Sequence, residues 1–158
     1  MGSTIKAGTM TVTIKEDINL NGVARGAVNT LSIPNVAQVS RRIVECPADE
    51  STVVIDPHPS SQGLDTFHDT DVRYARITNL DSSVVCQLQV YTADGNISYR
   101  LDPGASHFWI VPGASGLDVY NDITGGNAPV FVTVNRIDVE PLGNKASVEV
   151  YVASAAAS

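Results

Sequence analysis

The stretch Ser83-Val84-Val85-Cys86-Gln87-Leu88-Gln89-Val90-Tyr91-Thr92-Ala93-Asp94-Gly95-Asn96-Ile97-Ser98-Tyr99-Arg100-Leu101 decides the fold class. Val84, Cys86, Leu88 and Val90 fall on one side of it, and Val85, Gln87, Gln89 and Tyr91 on the other. Successive side chains of a strand point to opposite faces, so this period of two reads as a half-buried β-strand. Asp94-Gly95 then suits a tight turn, because both residue types tolerate the positive φ that hairpin turns require. Tyr91 to Tyr99 is therefore predicted to form a hairpin.

Working outward, the same alternation recurs. Thr9 to Lys15 places Met10, Val12 and Ile14 on one face. Asp71 to Thr78 sets Val72, Tyr74 and Arg76 opposite Arg73, Ala75 and Ile77. Ser147 to Val152 turns Val148, Val150 and Val152 one way and Glu149 and Tyr151 the other. Further strands are expected at Ala27–Ile33, Arg41–Cys46, Thr52–Ile55, Ile97–Leu101, His107–Val111, Leu117–Tyr120 and Val130–Asn135. Asp-Pro-Gly at 102–104, Pro-Gly at 112–113, Gly-Gly-Asn at 125–127 and Leu-Gly-Asn at 142–144 punctuate them. No long run sustains the 3.6-residue period of a helix. Roughly ten short strands at even spacing predict an all-β chain, a single antiparallel β-sandwich of jelly-roll type. Residues 1–158 read as one domain, with 1–8 as an N-terminal arm and 154–158 as a C-terminal tail.

Composition narrows the function. The chain has 158 residues, 43% hydrophobic and 17% charged, with a net charge of −7. Its ten Lys and Arg residues gather nowhere beyond the pair Arg41-Arg42. Nucleic-acid binding needs several cations on one face to displace condensed counterions, so no direct nucleic-acid partner is expected. No stretch approaches 18 apolar residues, and no apolar leader follows Met1, so no membrane partner is expected and synthesis in a cytosol is. In that setting Cys46 and Cys86 are expected as free thiols.

Residues with chemistry in them gather only between Asp56 and Asp71. His58, His68 and Asp69 are the candidate metal ligands there, but their spacing fits no compact ligand pattern. A polar loop whose aspartates cap turns is the preferred reading, with no metal or other cofactor. Ser106-His107 lacks the glycine of a nucleophile elbow, so no catalytic residue is expected. Trp109, with Phe108 and Tyr120, could offer a sugar an aromatic platform, although a sandwich core needs most of its aromatic residues.

Two segments carry a family resemblance. Tyr74-Ala75-Arg76-Ile77-Thr78-Asn79-Leu80-Asp81 resembles a strand-and-turn of small virion structural proteins of tailed bacteriophages, marine and cyanophage-like ones especially. Tyr99-Arg100-Leu101-Asp102-Pro103-Gly104-Ala105-Ser106 is similar to a Pro-Gly turn in the same proteins, and the opening from Thr11 to Gly22 fits their usual start. The resemblance implies a virion component made in the host bacterial cytoplasm, and it brings no catalytic residues. The expected function is a capsid decoration (cement) protein bound to the outer head surface. Its expected partners are the major capsid protein and copies of itself, as a homo-oligomer with a trimer among the candidates. A tail or baseplate component is the alternative within the virion, and a carbohydrate-binding module the alternative of another class. Contacts are expected from Thr4, Ile5, Lys6 and Thr9, from His58 and Phe67 in the long loop, and from Ala153 and Ser154.

Overall fold

The computed structural model describes residues 6–57, 67–93, 95–111, 118–121 and 130–155. Every regular element among them is a strand, and every paired strand is antiparallel. The strands are β1 (Gly8–Glu16), β2 (Asn19–Leu20), β3 (Val23–Ala24), β4 (Ala27–Cys46), β5 (Thr52–Ile55), β6 (Val72–Asn79), β7 (Cys86–Thr92), β8 (Gly95–Leu101), β9 (Ser106–Ile110), β10 (Asp118–Asn121), β11 (Val130–Pro141) and β12 (Ala146–Ala155).

Two sheets enclose the core. The first runs β1-β4-β12-β6-β9; the second runs β10-β11-β7-β8, with β5 also paired to β11. The pairs β4·β12, β5·β11, β6·β9 and β7·β8 nest inside one another along the chain. Such a nest, rolled up, puts alternate pair members into opposite sheets, which is the jelly roll expected from the sequence.

Alternation fills the space between the sheets. Val148, Val150 and Val152 from β12 and Ile77 from β6 meet Leu88 and Val90 from β7 and Ile137 and Val139 from β11. Burying each such side chain stabilises the fold by about 1.5–3 kcal/mol. Truncating the fully buried Leu88 to Ala would cost about 2–5 kcal/mol, the cavity included. Cys46 and Cys86 are buried free thiols in this core, and burial pushes Cys86 up to about 11.

Two of the expected strands are one. Ala27–Ile33 and Arg41–Cys46 join through Pro34 and Asn35 into the 20-residue β4. Proline lacks an N–H and is tolerated at a bulge or free edge, and β4 changes partner at this point. Residues Ala27 to Val36 pair with β1, and Val36 to Cys46 with β12. Asn35 takes a positive φ of 60°, and the registers of β1 and β12 both shift beside it. Likewise β11 runs six residues past Asn135 to Pro141.

Beyond Val36, β1 and β4 continue as a two-stranded ribbon. β2 and β3 close its tip through Asn21-Gly22, at φ 53° and 79°, the positive pair a type I′ turn requires. Gly26 is needed where the tip rejoins β4, since a Cβ there would stand 2.1 Å from the Glu16 carbonyl oxygen.

Candidate interaction face

Outward-pointing residues of the first sheet form the candidate face. Register aligns Val39, Arg41 and Ile43 of β4 with Ala153, Tyr151 and Glu149 of β12. The same three β12 residues face Tyr74, Arg76 and Thr78 of β6, which in turn face Ile110, Phe108 and Ser106 of β9.

At its centre lies one carboxylate between two guanidinium groups. Arg41 donates to Glu149 Oε2 from Nη2 at 2.7 Å and from Nε at 2.8 Å; Arg76 Nη2 donates to Oε1 at 2.6 Å. Glu149 is only 7% exposed. The Arg41 hydrogen bond, more than any other cause, holds its carboxyl below the usual range. Arg76 also lies over the Tyr151 ring at 5.8 Å, and Tyr151 meets Tyr74 edge-on.

Apart from the hydrogen-bonded pair Thr78 and Ser106, the face around this triad carries exposed apolar side chains. Ile43 is 66% exposed, Val39 52% and Phe108 41%. One end of the face is covered by the base of the ribbon, where Met10, Val12, Leu31 and Ile33 pack with Tyr74, Ala153, Tyr151 and Ile110. This second small core makes β1 amphipathic. Met10, Val12 and Ile14 are half-buried, while Thr9, Thr11 and Thr13 are exposed.

The two segments that carry the family resemblance dock on each other at the far end. Asn79 N–H donates to the Ala105 carbonyl at 2.9 Å, and Gly104 N–H to the Asn79 carbonyl at 3.0 Å. The fully buried Asn79 side-chain amide donates to the carbonyls of Val84 and Leu101, and its oxygen accepts from Asp81 N–H. Asp81 caps the N–H groups of Ser83 and Val84 in an Asx turn. Gly104 has φ 74°, and Ala105 N–H donates to the Asp102 carbonyl, which makes Asp102 to Ala105 a type II turn. These residues fasten β6, β7, β8 and β9 together and present no reactive group outward.

The expected contact residues scatter. Lys6 and Thr9 are exposed, Thr9 on the threonine side of β1. Thr4, Ile5 and His58 lie outside the described residues. Phe67 is corrected to a core residue, 6% exposed and packed in the main cluster. Ala153 and Ser154 are corrected likewise: both are buried in β12, which extends to Ala155, so the tail does not start at 154. A long polar loop and a chain terminus both read as surface in sequence, which hides a local anchor such as Phe67.

His68 Nδ1 stands 3.0 Å from Asp69 Oδ1 and 2.8 Å from Thr70 Oγ1, while Asp69 Oδ1 accepts the Thr70 N–H. The arrangement is that of a capped turn. Among the described residues no three potential ligands gather at one point.

Trp109 and Phe108, neighbours on β9, point to opposite sides of the sheet. Trp109 packs against the main core, with His107 between it and the Tyr99 ring at centroid distances of 4.6 and 4.5 Å. Burial pulls the His107 imidazole below its ordinary value. These two residues therefore do not make a single platform. A recess of about 290 Å³ opens beside Tyr99, Arg100, Gln87 and Leu142, and Arg100 on its wall is already paired with Asp102 at 2.7 Å.

Comparison with protein-family models, curated proteins and solved structures returned no match.

Proposed function

We propose that this protein is a structural subunit that works by assembly, and that it is a bacteriophage virion component, a capsid decoration protein. One observation carries the assembly reading: Ile43, Val39 and Phe108 stand exposed around the buried Glu149 triad. Interfaces combine an apolar centre with arginine and aromatic anchors, and Arg41, Arg76 and Tyr151 supply these in one patch. A rigid jelly roll presents such a patch without rearrangement, so little conformational entropy is lost on docking. The resemblance of the 74–81 and 99–106 segments supports the placement in a virion. A decoration protein repeats one modest interface over many symmetry copies, and multivalency then supplies the retention.

Immunogold labelling of intact virions with an antibody to this chain tests the placement. Even label over the heads is the expected result. Label confined to tails would reassign the protein to the tail or baseplate, and unlabelled particles would refute the virion reading.

A further inference from the structure

The ribbon carries apolar residues into solvent. β12 stops pairing with β4 at Val36, so β4 from Ala27 to Asn35 has β1 on one side and no strand on the other among the described residues. Two-stranded hairpins are marginal in water, and this one exposes Ile18, Leu20, Val23 and Val28. Free strand edges are normally blunted by lysine, proline or inward charge. Here the outward side of β1 is threonine from Thr9 to Thr13 and becomes charged only at Lys15, which is paired with Asp17 at 3.2 Å.

Charge separates the ribbon from the body. Residues 1–36 hold three of the ten cations and two of the seventeen anions, a net of +1, which leaves −8 on the rest of the chain. The ribbon is therefore spared the repulsion that two acidic bodies exert on each other.

Direction settles which copy is reached. Ribbon and candidate face share β4 but extend oppositely from Val36. At about 3.3 Å per residue, Ala27 lies roughly 50 Å of strand from Ile43. The ribbon's base covers the Tyr74 end of its own face, and its tip is carried away from the Ile43 end.

We propose that the ribbon is an intersubunit arm whose tip, Ile18, Leu20 and Val23, lies on Val39, Ile43 and Phe108 of a second copy. The proposal rests on the reading of that face as an assembly surface and names its occupant. Met10, Val12, Leu31 and Ile33 are already used on the ribbon's own body, so the tip adds a small contact that gains strength by repetition around an assembly. Arg25, exposed at the tip, joins Lys145, which lies 3.2 Å from Glu45, at the acceptor's exposed Glu45 beside Ile43 on the outward side of β4. Arm and acceptor are different patches, so two copies either exchange arms reciprocally or join head to tail, in a ring where the rotation closes and a filament where it does not.

Sedimentation of the full chain at tens of micromolar is the test, with Leu20→Asp/Val23→Asp and Ile43→Asp as variants. All three positions are exposed, and retained thermal unfolding confirms that each variant is folded. The wild type is expected to be oligomeric, and each variant to dissociate with a constant raised at least about tenfold. A mixture of Leu20→Cys chains with Ile43→Cys chains is expected to yield a disulfide-linked heterodimer on oxidation. A monomeric wild type, oligomers that persist in both variants, or an uncross-linked mixture would each overturn the arm. If the wild type is monomeric yet Ile43→Asp abolishes virion attachment, the arm falls and the assembly reading stands. If Ile43→Asp alters neither property, both fall.

Discussion

The two outer faces of the sandwich each bury one acidic side chain, and they treat it differently. On the second sheet Asp138 is 3% exposed; its Oδ1 stands 2.9 Å from Arg136 Nε and its Oδ2 accepts the Ser51 hydroxyl. Arg136 lies over the Tyr91 ring at 4.4 Å, and the Tyr91 hydroxyl donates to Gln89. Gln87 donates to Ser98 beside them. Most polar groups described on that face pair with one another, although Arg136 Nε and Asp138 Oδ1 lack a well-aligned hydrogen bond, and Val53 and Leu142 are exposed aliphatics there. On the first sheet Glu149 has two arginines, with the hydrogen-bonded pair Thr78 and Ser106 on one side and exposed Ile43, Val39 and Phe108 around them. A face of mostly paired polar groups suits water, whereas several apolar side chains exposed around a satisfied charge suit a face to be covered.

Replacing the two acids is the strongest way to break this comparison. Glu149→Ala leaves Arg41 and Arg76 facing each other without their acceptor and is expected to cost about 2–3 kcal/mol in urea unfolding. Asp138→Ala removes one ion pair and one hydroxyl bond and should cost about 1–2 kcal/mol. An equal or reversed order would show that the faces do not differ in this way.

Acid sharpens the same contrast. Glu149 has its folded value below the ordinary 4.5, so its stabilisation is complete above pH ~4.5 and is lost as pH falls through the depressed value. Unfolding curves of wild type and Glu149→Gln should differ by a constant amount above that pH and converge below it. A gap that widens in acid would contradict the triad.

Surface exchanges give a smaller effect on stability and a clear one on association. Ile43→Ser should change stability by less than about 0.5 kcal/mol while weakening self-association, and Gln89→Ser on the opposite face, which takes the acceptor from the Tyr91 hydroxyl, should lower stability slightly and leave association unchanged. Light scattering together with thermal melts reads both. The smallest global effect is expected for Gly26→Ala. The clash with the Glu16 carbonyl must displace the ribbon tip, yet the core between the sheets has no part there. Hydrogen exchange at the Arg25 amide, which donates to Ile18, should quicken while the Ile77 and Leu88 amides keep their rates.

Most of the sandwich was legible because the inner faces obey a period of two. Val84, Cys86, Leu88 and Val90 are all buried, and so are Val148, Val150 and Val152. Strand order was not legible, because alternation fixes faces and says nothing of partners. The expected strand ended at Ile33, before Pro34, since nothing local shows that β4 exchanges one partner for another there. The ribbon tip had a readable sign in Asn21-Gly22 between Leu20 and Val23, a short-range hairpin signal. The candidate face was the least legible part. Arg41, Arg76 and Glu149 are 35 and 73 residues apart and meet only through the β4-β12-β6 register. Contact residues sought in the loop and the terminus proved, for Phe67, Ala153 and Ser154, to belong to the interior.

The place of β12 has a consequence for the order in which the molecule forms. It is inserted between β4 and β6, and Glu149 reaches 108 residues back to Arg41. During synthesis the ribbon, built from near neighbours, can close early, whereas the first sheet stays split until β12 has left the ribosome. Loop-closure entropy makes such late, distant pairing slow, and the facing edges of β4 and β6 remain unsatisfied in the interval. For a product made in many copies, that interval is when wrong partners compete.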